Sequence, residues 1–146
     1  MPFNAKVAST FVSMLQDLPP QSWETAAARQ QVASKLGLPY ADVMQDWPWE
    51  VASSEHLDDY RQLYTSASDD ERVVLMEMLL QATTDLEEPA AFEHVWHHVR
   101  GLLDRNPALH AWSVHYWCCW GASAEAGFEI TPHLRTWWAT HFALPT

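Results

Sequence analysis

The sequence predicts an all-α domain, on three observations. Apolar residues recur at spacings of three and four over most of the chain, no stretch reads as a strand, and proline or glycine falls at helix-length intervals. At 146 residues, one such domain can bury about 70% of the surface its unfolded chain exposes. The expected architecture is a single domain over residues 1–146 with seven to eight helices. Short Pro- or Gly-marked connections favour antiparallel neighbours, hence stacked αα-hairpins.

Residues 4–18 place Val7, Phe11, Leu15 and Leu18 on one helical face, and Pro19-Pro20 ends it. A second helix is expected from a Ser22 cap to Gly37, with Trp23, Ala26, Ala27 and Val32 on its packing face. Pro39 can open a short turn through Tyr40, Val43 and Met44, which Trp47-Pro48-Trp49 should interrupt because proline biases the preceding residue away from helical angles. Ser54 then caps a helix reaching about Tyr64, with Glu55, Asp58 and Asp59 in its favourable first turn. Ser68-Asp-Asp-Glu71 is a capping box, and behind it Val74, Leu75, Met78, Leu79, Ala82 and Leu86 draw an amphipathic stripe. After Glu87-Glu88-Pro89, a second stripe runs through Phe92, Val95, Trp96, Val99, Leu102 and Leu103.

Asn106-Pro107 starts the next helix, with Asn as the cap and Pro where no hydrogen bond is lost, and Gly121 reads as its stop. Leu109, Trp112, Tyr116 and Trp120 form one stripe, and Ala111, Val114, Trp117, Cys118 and Cys119 cover the remainder. A helix apolar all round is a buried helix, so 107–120 is expected to be the buried central helix, with Trp112, Tyr116 and Trp117 in the core. It is too short to span a bilayer, which takes about 20 apolar residues. Thr131-Pro132 opens the last helix, through Leu134, Trp137, Trp138 and Phe142.

Net charge is −11, and its placement matters more than its size. Residues 42–93 hold 14 acids against Arg61 and Arg72, whereas the rest of the chain has five acids and six bases. Such a surface repels nucleic acid. Within the window, aromatic residues sit among acids, as tight interfaces with basic proteins arrange them. The expected partner-binding residues are Trp47, Trp49, Glu50, Asp58, Asp59, Tyr60, Asp69 and Asp70. The competing reading puts the rings in the core and leaves the acids as a solubilising surface.

Eight histidines raise a metal reading, and His94 and His98 are four apart, as a zinc pair on a helix can be. No HExxH or Glu-x-x-His pattern accompanies them, so the expectation is a solvated face with Glu93 one turn from His97, and no cofactor. His110 and His115 lie on the buried helix, where a neutral imidazole can serve as a hydrogen-bonding group. Only four glycines occur and none forms a phosphate loop, while the adjacent Cys118 and Cys119 lack CxxC spacing. These absences make an enzyme the minority reading. Its form would be a small metal-dependent or ligand-binding helical enzyme using His94 and His98, with His56. Two free thiols and no signal-like N-terminal run place the expectation in the cytoplasm, without a membrane partner.

The runs DDERVVLMEMLLQATTDLEE (69–88), LLDRNPALHAWSVHYWCCW (102–120) and GFEITPHLRTWW (127–138) resemble small all-helical bacterial proteins of the toxin-immunity type, or of helical families without an assigned activity. The resemblance covers about the C-terminal half and consists of core and capping residues. It implies an all-helical fold and, for function, neutralisation of a toxin. Combined with the charge, it leads to an acidic binding protein that blocks a basic partner whose own substrate is nucleic acid.

Overall fold

The computed structural model describes Pro19 and residues 24–144. The expected helix over 4–18, and the Ser22 and Trp23 start of the next, lie outside the described residues. Seven α-helices occur among the described residues: α1 (Ala26–Leu36), α2 (Trp47–Val51), α3 (Leu57–Ser66), α4 (Asp69–Thr84), α5 (Pro89–Arg105), α6 (Pro107–Trp117) and α7 (Thr131–His141). Single 3-10 turns at Ser54–His56 and Ala124–Ala126 complete them, with no strand among these residues. The described residues form one all-α domain, and none of these helices is long and apolar enough to cross a membrane.

Local chemistry sets the helix ends. Thr25 accepts the Ala28 N–H at 3.1 Å to start α1, and Gly37 closes it in the left-handed region at φ 67°. Ser68 accepts from the Glu71 N–H to start α4, and Asn106 accepts from the Leu109 N–H to start α6. The Glu88 carboxylate takes the Ala90 and Ala91 N–H groups at the head of α5. Pro48 begins α2 rather than interrupting a helix, because the first turn needs no N–H from it. Ser53, not Ser54, is the capping serine before α3, accepting from the Glu55 N–H.

From α3 onward consecutive helices pack against each other, and α4 touches α1, α2, α3, α5 and α6. Neighbours on every side leave α4 buried around its circumference from Val73 to Leu80. Two acids on its sequence-polar side are enclosed as well. Glu71 is held by Lys35 Nζ of α1 at 2.8 and 3.1 Å. Glu77 accepts the Trp117 indole N–H at 2.7 Å and the Trp49 N–H at 2.9 Å. Burial raises the Glu77 pKa, and the Trp117, Trp49 and Ser113 hydrogen bonds only partly oppose it.

The helix over 107–117 lies between α4 and α7, burying His110, Ala111, Ser113, Val114 and Trp117. Of the three rings expected in the core, Trp117 is there, Trp112 is half-buried, and Tyr116 is 55% exposed. The helix enclosed on all sides is therefore α4. Tyr116 lies flat on Trp49, centroids 5.5 Å apart, which covers one ring face and leaves the other to solvent. The α-helix ends at Trp117, short of Gly121, because Cys119 takes φ 51°. Its last carbonyls are claimed from α7: Thr131 donates to Trp117 O at 2.8 Å, and Arg135 donates to Cys118 O at 2.7 Å and Cys119 O at 2.6 Å. Burial pushes the Cys118 thiol up to about 12, so it stays protonated.

Thr131 also accepts from the Phe128 N–H at 2.9 Å, which leaves no room beside Gly127, where an added Cβ would stand 2.7 Å from Thr131 Oγ1. Gly127→Ala is therefore expected to destabilise the protein by about 1 to 3 kcal/mol. A denaturant titration measures it, and an unchanged midpoint would show that the turn relaxes freely.

Candidate functional site

The expected aromatic anchors belong to the core. Trp47 has 0% exposure, and its indole N–H is spent on Pro39 O. Tyr60 has 1%, with its hydroxyl accepting the Ser53 N–H at 3.0 Å. Trp49 is half-buried between Tyr116 and Glu77. Glu50, Asp58, Asp59, Asp69 and Asp70 are exposed as expected. Rings and acids that are close in sequence thus point opposite ways, and the ring-centred docking face is corrected. Burying these rings adds more free energy than exposing them could.

His94 and His98 stand edge-on on α5 with centroids 4.8 Å apart. Among the described residues no group of three His, Cys, Asp or Glu is placed to hold a metal ion. His56 is instead beside Asp59, 3.5 Å away at the head of α3.

The site that the fold does assemble is a groove of about 600 Å³ between α5 and α7. On α5, Glu93, His97, Arg100 and Asp104 are three or four residues apart and form one stripe. On α7, His133, Thr136, Trp137, Thr140 and His141 form the facing stripe. Trp96 closes the floor. Polar bonds tie the walls together. His133 Nε2 meets Glu93 Oε1 at 3.0 Å, the Trp137 N–H donates to Asp104 Oδ1 at 2.8 Å, and His141 Nε2 lies 3.4 Å from the same oxygen. The His133 ring lies among Phe92 and Trp96, at 4.9 and 5.6 Å, and its Nδ1 is buried without a partner among the described residues. Trp137 and His141 stack at 4.3 Å.

The groove continues past His133 into a smaller one of about 220 Å³, where Glu87 and Glu129 join Glu93 around Phe92 and Leu86. The joined surface carries four carboxylates (Glu87, Glu93, Asp104 and Glu129) against the single guanidinium of Arg100. Thr136 and Thr140 donate to Pro132 O and Thr136 O, so neither hydroxyl is paired with a histidine as a nucleophile would be. The arrangement suits cations held by carboxylates.

Sequence reasoning read Glu93 and His97 as a solvated face and did not join them to His133, Trp137 and His141. The available signal was the polar stripe on each helix, but nothing in the sequence says that the two stripes face each other. Compared with family models, curated proteins and solved structures, the chain matches none.

Proposed function

We propose that this is a cytoplasmic acidic binding protein that neutralises a basic protein partner, of the kind a toxin-immunity protein would block. The observation that carries the reading is the joined groove, with its four carboxylates, one guanidinium and aromatic floor. Lysine or arginine side chains of the partner pair with Glu87, Glu93, Asp104 and Glu129. The exposed acids Glu50, Asp58, Asp59, Asp69 and Asp70 add the long-range field that steers the encounter. A toxin acting on nucleic acid needs a cationic cleft for phosphates, and an acidic surface of this form can occupy that cleft.

The test uses partners captured from the source cell, with binding rates measured for charge-reversed variants whose folding is checked by circular dichroism. Glu93→Lys with Glu129→Lys should speed dissociation by about ten-fold or more, because the groove pairs are lost. Asp69→Lys with Asp70→Lys should mainly slow association. Unchanged dissociation in the first variant would remove the groove from the binding face.

A further inference from the structure

Helix α5 borders a second groove on its other side, about 480 Å³ in volume, where it faces α3. Its character is opposite to that of the acidic groove. Arg61 and Gln62 of α3 face His98, Gly101 and Arg105 of α5 across it. Among the described residues, the Arg105 guanidinium and the Gln62 amide make no hydrogen bond or ion pair. Asp58 is the one carboxylate in the lining, 3.4 Å from Arg61 Nη1. Its side chain is 96% exposed, so this surface pair is weak and the carboxylate can turn outward when a competing anion arrives. After burial, the charge of Arg61 is the next cause lowering the His98 pKa, and Asp58 opposes it.

Gly101 leaves the α5 backbone open to the groove. It lies inside α5, where glycine costs about 1 kcal/mol relative to alanine. Packing does not require it, since an added Cβ would meet nothing within 4 Å. The space that it leaves opens into the groove that Arg61 and Arg105 also line. With no side chain at this position, a ligand in the groove can approach the helix backbone closely.

We propose that the groove between α3 and α5 binds the phosphate monoester of a small molecule, clamped by the Arg61 and Arg105 guanidiniums, with Gln62 and His98 as further donors over the open backbone of Gly101. Two guanidiniums match a dianion and can each pair bidentately with its oxygens, whereas a monocarboxylate would leave one unmatched. The volume lies within the range of small-molecule sites. The site lies on the other side of α5 from the acidic groove, with His97 lining both, and can operate with the basic partner present or absent.

The experiment titrates the full chain with phenyl phosphate, and with benzoate as the monoanion control, followed by calorimetry and the His98 ring resonances. One saturable site is expected, with phenyl phosphate bound about ten-fold or more tightly than benzoate. Arg105→Gln should weaken phenyl phosphate about ten-fold. Gly101→Ala should raise the thermal midpoint by about 2 to 4 °C through helix propensity and yet weaken binding by a similar factor. That combination separates a ligand role from a structural one. No saturable binding, equal affinity for benzoate, or a Gly101→Ala variant that binds phenyl phosphate as well as the parent would each overturn the proposal.

Discussion

Trp117→Ala is expected to lower stability by about 3 to 5 kcal/mol. The ring is 1% exposed, lies 4.6 Å from Phe128 and edge-on to Trp49 at 6.4 Å, and donates to Glu77 Oε2. Truncation opens a ring-sized cavity and deprives an enclosed carboxylate of one of its two indole donors, so cavity and hydrogen-bond losses add. Trp117→Phe separates the terms, since it keeps most of the volume and removes the N–H. Its expected cost is about 1 to 3 kcal/mol. Both follow from denaturant titration, and a Trp117→Ala midpoint equal to that of the parent would contradict the packing between α4 and α6.

Acid is expected to remove about 3 kcal/mol of stability through His110 alone. The imidazole is fully buried, meets the Tyr64 hydroxyl at 2.5 Å through Nε2, and has no partner for Nδ1 among the described residues. Burial first, and then the charge of Arg72, lower its pKa from 6.5 to about 4. The folded state therefore binds the proton less readily than the unfolded chain. The contribution is present in full above pH 6.5 and is lost as pH falls toward 4. Glu77 and Glu24 act in the opposite direction, because burial raises both from 4.5, and their terms improve as pH falls through their folded-state values. Stability against pH for the parent and for His110→Gln isolates the histidine, since glutamine still offers Tyr64 an acceptor. The variant should lose less stability between pH 6.5 and 4; identical slopes would show that His110 is not the buried neutral group described.

Most helix ends among the described residues were legible because they depend on neighbours in sequence. Ser68, Asn106-Pro107 and Gly37 act locally, and the stripe through Phe92, Trp96, Val99 and Leu103 is buried as its spacing predicts. Tertiary placement was less legible. Glu71 and Glu77 looked like the wet side of an amphipathic helix, yet Lys35 and two indoles from other helices enclose them. Trp47 and Tyr60 shared a sequence window with exposed acids but not a face. The candidate groove joins residues 40 positions apart, as between Glu93 and His133, and no local pattern encodes that meeting.

The central claim is that acidic charge brings a basic partner to the α5–α7 groove. The most direct measurement is the association rate of a captured partner with the unmodified protein, at about 50 mM and about 500 mM salt, over which screening shortens from more than 10 Å to only a few ångströms. The account predicts a basic partner and a rate that falls about ten-fold or more at the higher salt. Neutral or acidic partners whose association rate is the same at both salt concentrations would contradict it.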